Sequence, residues 1–388
     1  MADRELNILS LDGGGVRGLS TLHILKSIME AIDREHPPKP CDFFDMIGGT
    51  GSGGLLALML GRLKMDIDQC IIGYTRLCKH VFGRKKRLSL TGMSPMSMSK
   101  RKAKHDGKKL ATALKSILRE LGHEDRDILL QDVDLSCRVF VCVTDASTQK
   151  LVPLSTYPSK YCPNELYKSA KIWEAGVATF ANPALFEPIA LGPARRRYID
   201  SSSQANNPIR EVWIEAKNVW RLTTLESQLR CLVSIGTGQH TINRGSGRKT
   251  SGVGGVFGFA KSAEVVVDPE VETNKFIQEH SELDDEGRLF RFDVPNGLAE
   301  IGLDAVDEIE TIVDATQDYL AKELVYKQTP FPSLMRMGAN GTDHAGEINE
   351  SLAFAMGTML ACGACPSFGS QKGRVSAGYI TNKGHQAE

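Results

Sequence analysis

Residues 43–63 read FFDMIGGTGSGGLLALMLGRL: an apolar run, a glycine-rich turn holding one serine, and a second, longer apolar run. Phe43 to Ile47 has the length and composition of a buried strand, and Gly54 to Leu63 those of a buried helix. The same order occurs just upstream. Asn7 to Leu11 predicts a strand, Asp12 to Gly15 a turn, and Val16, Leu19, Leu22, Leu25, Ile28, Met29 and Ile32 then recur at three- and four-residue steps. That helix ends before His36-Pro37-Pro38, because proline lacks a donor and its ring clashes with the preceding turn. Two strand–turn–helix units in succession predict an α/β fold with a parallel sheet covered by helices.

Further along, Asp66 to Cys78 predicts a helix, and residues 84–109 (RKKRLSLTGMSPMSMSKRKAKHDGKK) are basic, rich in Ser and Met, and aperiodic, as in a surface excursion. Ala111 to Leu121 resumes a helix. Arg138 to Thr144 reads as a strand that pairs with Lys150 to Ser155 across a polar turn, and Trp173 to Thr179 as a helix. A short strand leads into Asp200, and Arg230 to Gly238 and Arg288 to Pro295 each contain a buried strand. Residues 243–258 form a Gly/Ser/Lys loop, and Asp304 to Lys327 a long amphipathic helix that closes the domain. This divides the chain into a core over 6–210, a C-terminal part of the same domain over 211–330, and a poorly packed tail over 331–388.

The chain has 388 residues, 41% apolar and 24% charged, with Lys+Arg and Asp+Glu equal at 47 each, so net charge gives no argument for nucleic-acid binding. No run approaches the roughly 18 apolar residues of a membrane span, and the start lacks a basic then apolar leader, so the expectation is a cytoplasmic, non-secreted protein. Nine scattered cysteines fit buried thiols. Cys362 and Cys365 form a CxxC, yet nothing completes a zinc set, and no EF-hand calcium loop occurs; neither metal nor cofactor is expected.

Gly13-x-Gly15-x-x-Gly18 matches a dinucleotide fingerprint, but the second strand ends in another glycine turn where a ribose-binding carboxylate belongs. A P-loop is absent, since GSGRKT at 245–250 breaks its spacing. Taken together, the two turns suit acyl transfer: the amides of the first would hold an oxyanion, and the second would present a serine.

DGGGVRG at 12–18, GGTGSGG at 48–54, YID at 198–200 and ANNP at 205–208 resemble the patatin-like phospholipase family in order and spacing, and within it the fungal cytosolic type. The resemblance implies a three-layer α/β/α sandwich with a central, mostly parallel sheet. It implies a lipid acyl hydrolase of phospholipase A or lysophospholipase type, using a Ser-Asp dyad without a metal. Gly13, Gly14 and Gly15 would form the oxyanion hole with Arg17 at its edge, and Asp200 would be the dyad aspartate. Phospholipid or another acyl-ester lipid would be the substrate.

Two departures matter. In strict register Gly51 stands where the family has its nucleophile, and the only hydroxyl there is Ser52. Either the turn shifts by one residue, with Thr50 and Gly54 flanking a working Ser52 and Gly51 and Gly53 relaxing the backbone, or glycine has replaced the nucleophile and Ser52 only caps the helix. The second outcome would leave a catalytically impaired protein that binds lipid or a partner. Asp200 is followed by Ser201 and Ser202 in place of small residues, and hydroxyls donating to it would stabilise its ionised form and weaken it as a base. Phe180 and Asn182 are further departures that bear on the acyl pocket, and no histidine carries a triad motif. The basic segment 84–109 reads either as a solvated loop or as a peripheral contact with an anionic membrane.

Overall fold

The computed structural model describes residues 5–83, 104–123, 127–239 and 269–325. The strands are β1 (Leu6–Leu11), β2 (Met46–Thr50), β3 (Arg138–Asp145), β4 (Leu151–Ser155), β5 (Ile189–Leu191), β6 (Arg196–Ile199), β7 (Leu229–Ile235) and β8 (Leu289–Phe292). They form one sheet in the order β5-β6-β3-β2-β1-β7-β8, with β4 also paired to β3. β3-β2-β1-β7-β8 are parallel, while β4, β5 and β6 join antiparallel.

Side chains alternate across this sheet. Leu9 and Leu11 of β1 and Val139, Val141 and Val143 of β3 enter one core, while Leu6, Ile8, Phe140 and Cys142 enter a second. Both faces are covered, as a parallel sheet requires. The first core holds α1 (Gly18–Ile32), α2 (Ser52–Ala57), α3 (Ile67–Phe82), α4 (Gly107–Glu120) and α5 (Ile172–Phe180). The second holds α6 (Ile209–Trp220) and Phe276 of α7 (Pro269–Glu279), and α8 (Ile309–Val325) returns to the first, against α1. The result is the three-layer α/β/α sandwich.

Several boundaries differ from the sequence reading. The strand placed at Phe43 to Ile47 is instead a helical turn, Pro40–Phe43, followed by β2 from Met46. Pro40 suits the first turn of a helix, and β2 continues through Gly48 and Gly49, where side chains would strike Phe140 and the backbone of Gly53. α2 starts two residues before Gly54 and relaxes into a π-helical turn over Leu58–Arg62. α3 begins at a capping box of Asp66 and Gln69. Asp304 lies outside α8, held by Lys104 and His105 at 2.6 Å each. The basic segment therefore ends in packed structure: His105 stacks among Phe82 and Phe186, and α4 starts at Gly107. Residues 84–103, the loop at 243–258, Cys362, Cys365 and the tail 331–388 lie outside the described residues.

Candidate active site

The site sits at the carboxyl ends of β1, β2 and β7, where an α/β sheet places its ligands. β2 leads through Gly51 into α2, and this turn is an elbow. Gly51 has φ 57° and ψ −122°, a strained conformation that the residue at the apex of a nucleophile elbow adopts. A Cβ on Gly49 would lie 2.3 Å from Gly53, so the positions two before and two after Gly51 cross in contact. The apex is thus Gly51, and the one-residue shift that would centre the turn on Ser52 does not occur. A Cβ on Gly51 would meet only the Gly13 Cα at 3.4 Å and the Thr179 carbonyl at 3.9 Å, so a side chain would fit there. The Gly51 amide donates to Thr179 Oγ1 at 3.1 Å, which fixes the apex to α5.

Ser52 is the first residue of α2 and not its cap; Gly51 occupies the cap position. Ser52 is 1% exposed. Its hydroxyl accepts from the Gly14 amide at 2.8 Å and lies near the Tyr74 phenol, which donates to the Gly15 carbonyl at 2.7 Å.

The three glycines play different parts. The Gly13 amide donates to the Asn206 carbonyl at 2.9 Å, so it is engaged and does not point to a ligand. The Gly14 amide faces Ser52, and the Gly15 amide has no acceptor among the described residues. Gly15 takes φ 58° beneath Leu303, whose carbonyl would lie 2.1 Å from a Cβ. The Arg17 side chain is buried and, among the described residues, donates to the carbonyls of Gly14 and Leu298, at 3.4 and 3.3 Å.

Asp200, 6% exposed, follows β6. Its carboxylate accepts from Asn182 Nδ2 at 3.1 Å and from Ser202 Oγ at 3.0 Å. Ser201 turns away to Thr144 Oγ1 at 3.1 Å, so one of the two expected serine donors is present. Gly13, Gly14, Gly15, Arg17, Gly51, Ser52 and Asp200 all line one cavity of about 430 Å³, whereas Thr50 ends β2 and Gly53 and Gly54 lie in the first turn of α2, outside that lining. Phe180, Asn182 and Leu185 form one wall and Ala299 to Leu303 another. Val16 donates to the Leu303 carbonyl at 2.8 Å, which ties the second wall to the glycine loop.

A charged cluster lies under that loop. Arg291 donates to Asp12 at 2.8 Å, Asp293 at 3.0 Å and Glu270 at 3.1 Å. Burial pushes the Asp12 carboxyl up to about 6 against the pull of Arg291, and burial likewise raises Asp293. Asp293 Oδ1 also takes the Gly238 amide, and Thr237 Oγ1 donates to the Gly13 carbonyl at 2.9 Å.

Neither Thr179 nor the wall at 299–303 carries a signal in the sequence that assigns it to the site. Arg291 was hidden because it sits in an ordinary strand pattern. Only ANNP at 205–208 signalled that this loop belongs to the site, and Asn206 enters it through its carbonyl.

Comparison with known proteins matches residues 9–213 to the family described as patatin-like phospholipase. The chain is 30% identical over 282 residues to "Phospholipase A I" of Arabidopsis thaliana, covering 60% of this chain and 21% of that protein. It is 31% identical over 243 residues to "Calcium-independent phospholipase A2-gamma" of Rattus norvegicus, covering 61% and 29%. To the "cGAMP-activated phospholipase" of Vibrio cholerae it is 30% identical over 220 residues, covering 53% and 56%. The chain thus spans less than a third of the length of the first two relatives. A family match covering more than half of the chain, on a sheet that carries an elbow, a glycine loop and Asp200 to one cavity, makes this chain a member of the patatin-like phospholipase family.

Proposed function

We propose that the cavity takes the acyl ester of a phospholipid or related lipid, and that its hydrolytic step is impaired because the elbow apex has no side chain. The observation that carries this is the backbone of Gly51, at φ 57° and ψ −122°, with room for a Cβ facing Gly13. Around that point the rest of the equipment of an acyl hydrolase is assembled: an unengaged Gly15 amide for an ester oxyanion, a clamped Asp200 to accept a proton, and apolar walls for an acyl chain. Lipid would be held and turned over far more slowly than by a serine elbow.

A second reading rests on the 2.8 Å bond between Ser52 Oγ and the Gly14 amide in the cavity shared with Asp200. In it Ser52 attacks the ester carbonyl, Asp200 takes the hydroxyl proton, and the Gly14 and Gly15 amides hold the oxyanion. Water then releases the acyl group. A fluorophosphonate ester probe separates the two. Wild type that binds lipid without taking label supports the first reading; label at Ser52 that vanishes in Ser52→Ala and weakens in Asp200→Asn supports the second. Recruitment to an anionic membrane through segment 84–109 belongs to the same proposal, and is read from vesicle sedimentation with its lysines and arginines neutralised.

A further inference from the structure

Arg62 and Arg291 are shielded arginines with counter-ions: Arg62 has Asp132 at 3.2 Å, and Arg291 has its three carboxylates. Arg17 is different. It is 5% exposed, lines the cavity, and among the described residues has no carboxylate within 4.0 Å. Its only partners are two neutral carbonyls at 3.3 and 3.4 Å, bonded through Nη1 and Nε. Asp293 attracts it from further off, but that carboxylate is spent on Arg291 and the Gly238 amide. Leaving a cation out of water with neutral acceptors alone is unfavourable, and an anion placed at the Nη2 group, which has no acceptor among the described residues, relieves that. Glu300 lines the same cavity, two residues from the Leu298 carbonyl that holds Arg17, and it is exposed and in no ion pair among the described residues. The cavity therefore carries a buried cation at Arg17, the carboxylate of Asp200 held by Asn182 and Ser202, and, towards solvent, a second carboxylate at Glu300.

We propose that Arg17 and Glu300 select the lipid headgroup: Arg17 binds the phosphate of a phosphodiester headgroup and Glu300 its ammonium. The class is zwitterionic phospholipid or lysophospholipid, in preference to neutral glycerides and to phosphomonoester lipids. The proposal rests on the lipid-binding reading above and holds whether or not the ester is cleaved.

The test is calorimetric titration of the full chain with short-chain monoacyl lipids below their micelle concentration. The lipids are a glycerophosphocholine, the matching neutral monoacylglycerol, and the matching glycerol phosphomonoester. Wild type should bind the phosphocholine lipid about tenfold more tightly than the neutral one. Arg17→Met should bring the ratio of the two affinities to about one, and Arg17→Lys should keep part of the preference. Glu300→Gln alters an exposed side chain and should reduce discrimination against the phosphomonoester about threefold, which tests the proposal even if Arg17→Met does not fold. Equal wild-type affinity for the phosphocholine and neutral lipids, or a preference untouched by Arg17→Met and Glu300→Gln, would overturn the headgroup assignment and leave the lipid site standing. Binding of none of the three would overturn the lipid-binding reading itself.

Discussion

Gly49 and Gly53 lie back to back across the elbow, so close that a Cβ on the first would come within 2.3 Å of the second. That crossing fixes Gly51 as the apex and turns its missing side chain into a measurable property.

Gly51→Ser should therefore install a reactive hydroxyl facing Gly13. We expect fluorophosphonate labelling at residue 51, read by mass spectrometry, at a rate at least about tenfold above wild type. Holding a side chain at φ 57° costs about 1–3 kcal/mol, visible as a lower melting temperature.

Asn182→Asp tests the clamp on Asp200. A second carboxylate 3.1 Å from the first disfavours its ionised form, so its pKa rises. In the Gly51→Ser background the pH profile of labelling should move to higher pH, while Asn182→Ala should slow labelling without that displacement.

Gly15→Ala should break the join between the glycine loop and the cavity wall. The new methyl would meet the Leu303 carbonyl at 2.1 Å, in a backbone conformation that also disfavours it. Loss of about 2–4 kcal/mol in denaturant unfolding is expected, together with loss of lipid binding. Gly122, at φ 84° with nothing within 4 Å, supplies the control: Gly122→Ala should cost only the backbone part, about 1–2 kcal/mol.

The acids beneath the loop predict a pH dependence. Asp12 is raised to about 6 and Asp293 is raised too, both by burial. The folded state then binds more protons than the unfolded one above about pH 4, so stability falls as pH rises from there through about 7. Asp293→Asn keeps the shape and removes one ionisation. Its unfolding free energy should fall less than that of wild type between pH 5 and 8, by about 1–2 kcal/mol, read from denaturant unfolding at each pH.

The mostly parallel sheet was legible because two strand–turn–helix units follow one another and β3 and β7 are apolar-rich runs, whereas the order of the strands was not. The antiparallel edge was less so: β5 has three residues, too few for a periodic signal. At the site, the sequence shows that glycine occupies position 51 and serine position 52. It does not show which of them takes the apex, because that depends on contacts of Gly49 with Gly53 and of Gly51 with Thr179, 128 positions away. Arg17 was legible as a residue of the site, whereas the absence of a carboxylate beside it among the described residues became visible only with Arg291 and Asp293 in place.

The family match ends at residue 213, yet β7, which pairs with β1, and β8, which pairs with β7, come after it. A fragment cut at that point would leave β1, LNILSL, as a bare border strand, apolar on both faces and with its row of amides and carbonyls open to any other chain. Expressed alone, the matched region is a template for self-association, and the boundary useful at the bench lies beyond Phe292.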